Sequence, residues 1–282
     1  MPRIYLDYQI IDHLYKNELP EIDEKINELK KQNYIFPYSP AHCEEIAVPV
    51  IQDDKTDQIK RLKTISSVSY NNSLLPYPNK ISAINSGSGV YFCIEPPEQC
   101  YDRVAIHYHR NPSAERISKK QLEDAKISPN RIDPIKQNNS TAEKILSPAI
   151  LEEIIFNFIK ESKGPVLTNL FKQLRIPPIE RSFFPKTIEF GNLFQYTRSH
   201  FAVFETIMEL TFNKIEELGY FPEPVDKYRS RLHDVSHVIY GSYCKYFVTR
   251  DVRLRKKCTV AFKALGIPCS AISTDEFLAL TV

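Results

Sequence analysis

The chain has 282 residues, with 37 Lys plus Arg against 35 Asp plus Glu, 20 Pro, 7 Gly, 6 Cys and no Trp. That length buries a substantial core in one large domain or two modest ones, and the low Gly content excludes collagen-like or linker-dominated architecture. No window approaches the about 18 uninterrupted apolar residues of a membrane span, and the amino-terminal stretch lacks the apolar core and cleavage site of a signal peptide. The cysteines are scattered and form no C-x-x-C, which excludes a zinc knuckle or a disulfide framework. These features together lead us to expect a reducing, cytoplasmic setting with no membrane partner.

The near-neutral balance divides unevenly. Residues 1–60 carry twelve acidic groups against seven basic, whereas residues 225–263 carry ten basic groups against Asp226, Asp234 and Asp251. Such asymmetry fits a polyanion-binding face as well as a solvated surface.

In chain order, Arg3 to Leu6 (RIYL) reads as a strand ending at Asp7. Tyr8 to Leu14 and Glu21 to Lys31 have helical spacing, the second with Ile22, Ile26 and Leu29 on one face. Asn33 to Tyr38 is a second strand candidate. Ser39 then serves as N-cap, with Pro40 at the first helical position, for a helix over Ala41 to Val48. The middle, residues 70–145, is rich in Asn, Ser and Pro, with strand-like pieces at Val90 to Ile94 and Val104 to Tyr108. Asn85 to Gly89 (NSGSG) lacks the Lys-Ser/Thr of a phosphate-binding loop and reads as a turn. Pro148 to Lys163 and Asn192 to Leu218 read as amphipathic helices. The last segment alternates again: helix over Val225 to Tyr243, strand over Tyr246 to Thr249, helix over Leu254 to Leu265 ended by Gly266, and strand over Ile267 to Ile272. Alternation of this kind predicts an α/β fold with a parallel sheet, split between two sequence halves by a long insertion.

Two acids stand just after strand candidates, Asp7 after RIYL and Asp251 after YFVT. Open parallel sheets bind ligands at the carboxyl ends of their strands. Glu45 lies on the helix after the second strand candidate, and Asp234 on the helix feeding YFVT. Any one of these acids alone reads as a helix cap or a solvent-facing group. Four together make an oxygen-only site suited to Mg²⁺ or Mn²⁺, able to activate water and to stabilise charge on a phosphodiester.

The segments IYLD (Ile4 to Asp7), SPAHCEEI (Ser39 to Ile46) and HDVSHVIYGSYCKYFVTRD (His233 to Asp251) resemble the three acidic motifs of PIN-domain nucleases. The trailing LRKKCTVAFKALGIPCSAIS (Leu254 to Ser273) is similar to that family's closing helix and strand. The resemblance covers roughly residues 1–68 and 220–282. It implies a PIN-like three-layer α/β/α fold over the whole chain, with a core from 1–68 and 192–282 and a mostly helical insertion at 69–191. It also implies a Mg²⁺- or Mn²⁺-dependent endoribonuclease of the toxin or phage-defence type. Asp7, Glu45, Asp234 and Asp251 are then the catalytic, metal-binding acids, Glu45 being preferred to Glu44 because it lies six residues after Ser39. Thr249 matches the hydroxyl usual two residues before the last acid. RNA is the implied substrate, an antitoxin or other regulatory protein an implied partner, and a homodimer the implied assembly. The family commonly places tens of residues between its second and third acids, whereas Glu45 and Asp234 are 189 apart, and Lys245 stands where an acidic or small polar residue is more familiar.

Arg250, Arg253, Arg255, Lys256 and Lys257 surround the final acid and are candidates for RNA-backbone contacts, with Arg250, Arg253 and Lys256 foremost. His237, one turn from Asp234, is a candidate for contact with the scissile phosphate. His107 and His109 alternate on a predicted strand and read as an exposed polar face. Two other readings compete. His200, the His233-Asp234 doublet and Asp251 are similar to the pattern of HD-type phosphohydrolases, which are all-helical. A non-catalytic PIN-like module that binds RNA or protein is the other.

Overall fold

The computed structural model describes residues 1–47, 55–76, 84–85, 89–107, 112–165, 168–169, 172 and 180–281. Among them are six strands: β1 (Ile4–Leu6), β2 (Asn72–Leu75), β3 (Ile84–Asn85), β4 (Tyr91–Ile94), β5 (Tyr246–Val248) and β6 (Ser270–Ile272). Strands from the two chain ends meet in one parallel sheet of order β1-β5-β6. Its register aligns Tyr5 with Phe247 and Ala271, and Leu6 with Val248 and Ile272.

Strand periodicity sends alternate side chains to opposite faces, and two hydrophobic clusters form accordingly. Tyr5 and Phe247 join a cluster with Phe204, Met208, Val238 and Phe262 from the helices Phe201–Glu217, Tyr228–Gly241 and Val252–Leu265. Ile4, Leu6 and Val248 join another with Ile10, Ile26, Cys43 and Leu62 from the helices Tyr8–Tyr15, Pro20–Lys31, Pro40–Ala47 and Lys55–Ser69. Helices therefore cover both faces of a small parallel sheet, and the chain is a mixed α/β protein. Gly241 is required where its helix meets β5, because a Cβ there would stand 2.7 Å from the Phe247 ring. Gly266 ends the Val252–Leu265 helix in the left-handed conformation, at φ 76°.

The middle of the chain adds an antiparallel sheet of order β2-β4-β3 and the helices Pro97–His107, Pro112–Ile127 and Pro148–Ser162. The last of these packs Leu151, Ile154, Ile155 and Phe158 into the cluster that Tyr5 and Phe247 share, so the intervening segment joins the core of the two chain ends.

Several expectations need correction. The segment Asn33 to Tyr38 forms no strand; it makes only single bridges, Arg3 with Ile35 and Tyr38 with Ser73. Pro37 interrupts its ladder, which limits pairing to isolated positions. Val104 to Tyr108 is not a strand: residues through His107 belong to the Pro97–His107 helix, which buries Cys100 and packs on the Pro40–Ala47 helix. His109 lies outside the described residues, as do Val48, the end of the expected Ala41 to Val48 helix, and most of NSGSG. The expected single helix from Asn192 to Leu218 is two, Phe194–Thr197 and Phe201–Glu217. The break occurs where His200 turns extended (φ −125°, ψ 95°) and the Tyr243 hydroxyl takes the Arg198 carbonyl at 3.1 Å.

Candidate functional site

Asp7 leaves the carboxyl end of β1 as a buried residue in the N-cap position of the Tyr8–Tyr15 helix. Its side chain does not cap that helix. Oδ2 instead accepts a 2.7 Å hydrogen bond from Thr249 Oγ1, at the end of β5, and the Asp7 backbone N–H donates to the Val248 carbonyl at 2.9 Å. Thr249 Oγ1 in turn accepts the Asp251 N–H at 3.1 Å. One hydroxyl therefore bridges the two strand-end acids. Asp251 does what a lone Asp after a strand commonly does: its Oδ1 accepts from Leu254 N–H at 2.9 Å and caps the Val252–Leu265 helix.

Asp234 sits in the middle of the Tyr228–Gly241 helix, and Glu45 near the end of the Pro40–Ala47 helix. The four carboxylates are electrostatically coupled. Burial raises the Asp7 carboxyl to about 6 despite the Thr249 hydrogen bond, and the Asp251 charge adds to the rise. Burial first, then Asp7, Glu44 and Asp12, push Glu45 up to about 8. Asp234 is driven well above the carboxylate range by burial, then by Asp7, Glu45 and Asp251. The acids extend further along the same region, where burial raises Glu44 to about 7, and burial with the charges of Glu209 and Glu44 raises Glu205 to about 8.

Beneath these acids lies a polar network that sequence reasoning missed. The hydroxyl of fully buried Tyr5 meets Ser39 Oγ at 2.5 Å and His237 Nδ1 at 2.9 Å. His42 takes the Ser39 N–H on Nδ1 at 3.1 Å and so donates from Nε2 to the Leu6 carbonyl at 2.9 Å. The His42 and His237 rings stand edge to face, 4.8 Å between centroids. Burial lowers His42 to about 4, and burial with the neighbouring His42 and His233 lowers His237 well below its ordinary value. With Tyr5 donating to Nδ1, a neutral His237 carries its proton on Nε2. That atom is buried without a hydrogen-bond partner and lies 3.8 Å from Glu45 Oε1. His237 is thus sealed under the acids, with no exposed surface for contact with a phosphate. Tyr5 alternates with core residues in β1, and nothing in its spacing marks the hydroxyl as a polar anchor.

The basic residues expected to bind RNA divide. Arg250 donates to His13 Nε2 at 2.7 Å, on the helix that follows Asp7. Arg253 is exposed and lies 3.6 Å from Glu223, and Lys256 is exposed. Lys257 instead is buried between Glu216 Oε1 at 2.5 Å and Glu223 Oε1 at 2.7 Å, in a structural ion pair. His200 lies against the Phe183 ring, 5.8 Å between centroids.

The donor chemistry of Asp7, Glu45, Asp234 and Asp251 suits a hard divalent cation. Burial first, and the neighbouring negative charges after it, raise the proton affinity of Asp7, Glu45 and Asp234, and the orphaned His237 Nε2 lies 3.8 Å from Glu45. Among the described residues, however, no three His, Cys, Asp or Glu side chains stand close enough together to hold a metal ion. The donors suit the cation in kind but not yet in spacing. No protein-family model matches the chain, and neither a curated protein nor a solved structure matches it at a significant level.

Proposed function

We propose that the chain is a PIN-like, metal-dependent endoribonuclease whose acids are Asp7, Glu45, Asp234 and Asp251. The observation that supports this reading is the placement of Asp7 and Asp251 at the carboxyl ends of β1 and β5, bridged by the Thr249 hydroxyl, with Glu45 and Asp234 near enough that neighbouring charges add to the rise that burial imposes on the buried acids. A pair of strand-end acids joined by acids from two flanking helices is what the sequence resemblance implies. The toxin or phage-defence role, an antitoxin partner and a homodimer rest on that resemblance alone.

In this reading Asp7, Glu45, Asp234 and Asp251 are the residues that would hold Mg²⁺ or Mn²⁺. When bound, the cation supplies an activated water and neutralises charge building on the phosphodiester. The chain's own residues do the rest. Thr249 fixes Asp7 against the β5 end. The exposed Arg253 and Lys256 meet the RNA backbone. Tyr5 and His42 hold His237 so that Nε2 faces Glu45, a supporting role from below.

The helical phosphohydrolase reading is weaker, because β5 precedes Asp251 and His200 packs on Phe183. The deciding experiment is cleavage of single-stranded RNA with Mg²⁺ or Mn²⁺ by the wild type, Asp7→Asn and Asp234→Asn. Loss of cleavage in both variants with RNA binding retained is expected. Cleavage unchanged in both removes the site assignment, and RNA binding without cleavage by the wild type favours the non-catalytic module.

A further inference from the structure

At the other end of the same sheet lies a cavity of ≈ 390 Å³ with the opposite chemistry. Arg3 immediately precedes β1, Lys245 immediately precedes β5, and Arg198 reaches in from the break between the Phe194–Thr197 and Phe201–Glu217 helices. Phe194, Tyr243 and Pro268 complete its principal walls, and no acidic residue lines it among the described residues.

Three cations without a counter-charge need a physical reason. Arg3 and Lys245 are neighbours on adjacent chains of the sheet, joined by a 2.9 Å hydrogen bond from Lys245 N–H to the Arg3 carbonyl. Like charges side by side on neighbouring strands repel. Several other cations are paired, Arg61 with Asp12 and Asp57, Arg181 with Glu152, Lys263 with Glu143. None of Arg3, Arg198 and Lys245 has an ion-pair partner among the described residues. The described ring contacts of the first and last are aromatic faces, Phe92 at 5.2 Å from the Arg3 guanidinium and Tyr246 at 5.2 Å from the Lys245 ammonium. Such contacts leave the positive charge uncompensated.

The cavity is also held in shape. The Tyr243 hydroxyl donates to the Arg198 carbonyl at 3.1 Å, and Gly89, at φ 74°, lies so close that a Cβ would meet that carbonyl at 2.2 Å. Arg198 is therefore anchored through its backbone while its side chain stays exposed. Arg3, Arg198 and Lys245 all line the cavity, and guanidinium and ammonium groups bind phosphate oxygens, the planar fork through two parallel hydrogen bonds. The volume falls within the range of small-molecule sites, roughly 300–1,000 Å³, and the cavity is walled by aromatic rings.

We propose that this cavity binds a small molecule carrying a chain of two or more phosphates, a nucleoside di- or triphosphate being the class that fits both the cations and the aromatic walls. The site is separate from the acids: β1 lies between Arg3 at the cavity and Asp7 at the acids, and β5 between Lys245 and Thr249. The proposal stands whether or not the acids cleave RNA.

The test is isothermal titration of the full chain with ATP and with inorganic pyrophosphate, in EDTA so that no divalent cation bridges phosphate to the acids. Saturable one-to-one binding of at least one probe is expected, with the comparison showing whether the nucleoside adds to the phosphate chain. Arg198→Ala and Lys245→Ala should each weaken binding on the order of tenfold, the loss of a charge-assisted contact. Arg253→Ala/Lys256→Ala, at the far end of the sheet, should leave it unchanged. Arg198→Lys keeps the charge but loses the fork, and unchanged circular dichroism of the variants confirms their fold. The proposal is overturned if neither probe binds, or if binding is indifferent to Arg198→Ala and Lys245→Ala. It is also overturned if single-stranded RNA alone binds through these residues.

Discussion

Thr249 Oγ1 donates to Asp7 Oδ2 at 2.7 Å across the seam between β5 and β1, 242 residues apart in sequence. The same oxygen accepts the Asp251 N–H, so one hydroxyl sets the position of both strand-end acids. Because the bond is to the ionised form of Asp7, it opposes the rise that burial imposes. Thr249→Val keeps the shape and removes the bond. Stability should fall by about 1–3 kcal/mol, the usual consequence of leaving a buried acceptor unmade. The acid limb of the RNA-cleavage pH profile should move upward, because Asp7 then holds its proton more tightly. Thr249→Ser should restore both. A chemical-denaturation curve and a pH–rate profile measure the two effects, and an unmoved acid limb would show that Asp7 ionisation does not control cleavage.

The coupled acids also predict a pH dependence of stability. Glu45 is held up at about 8 against an ordinary 4.5, so the folded chain takes up its proton more readily than the unfolded chain. Its contribution to stability is full at low pH and lost as pH rises through about 8. Between pH 9 and 7 the metal-free melting temperature should therefore rise as pH falls, and Glu45→Gln should flatten that rise. Below about pH 6.5 the histidines oppose it, since His42, lowered to about 4, is more easily protonated when unfolded. Stability in EDTA should consequently pass through a maximum. Mn²⁺ should raise the melting temperature more at pH 8.5 than at pH 6.5, because protons and cations compete for the same carboxylates. A melting temperature indifferent to Mn²⁺ at both values would remove the metal from the site.

If the buried acids serve the proposed metal site, they are a local cost to the fold. Asp7→Asn retains an oxygen to accept the Thr249 bond and removes a buried charge. The expected result is a variant without cleavage whose melting temperature at pH 8.5, in EDTA, exceeds that of the wild type. A lower melting temperature would mean that the Asp7 carboxylate is compensated in the fold by partners other than a cation.

The parallel strands and their helices were legible because each carries its own signal. RIYL and YFVT are short β-prone runs, Gly266 closes a helix, and Asp7 and Asp251 follow strands directly. Helix and strand order put Asp7 and Asp251 at the carboxyl ends of β1 and β5, as expected, with Glu45 and Asp234 on flanking helices. Metal-ligating spacing among them was not legible, because side-chain reach is a tertiary property. Val104 to Tyr108 misled because three consecutive apolar residues suit a strand, whereas packing of Cys100 and Tyr101 made the segment helical. The fate of the basic cluster was hidden for the same reason. Lys257 and Lys256 are neighbours in sequence, yet helical periodicity buries one and exposes the other.

Buried Lys257 ties together the helices of the last third of the chain. It lies on the Val252–Leu265 helix, and its ammonium meets Glu216, on the Phe201–Glu217 helix, at 2.5 Å and Glu223 at 2.7 Å. Glu216 also accepts the Glu223 N–H at 3.0 Å, so the carboxylate is fixed before the lysine arrives. Lys257→Met strands Glu216 and leaves Glu223 only its 3.6 Å contact with the exposed Arg253, and the expected destabilisation is about 3–5 kcal/mol. The triple substitution Lys257→Met, Glu216→Gln, Glu223→Gln should recover much of that loss, because it removes the stranded charges along with their partner. Urea denaturation of the wild type, the single variant and the triple variant distinguishes the two contributions. A triple variant no more stable than Lys257→Met would show that lost packing of the lysine stem, rather than unpaired charge, sets the stability of this contact.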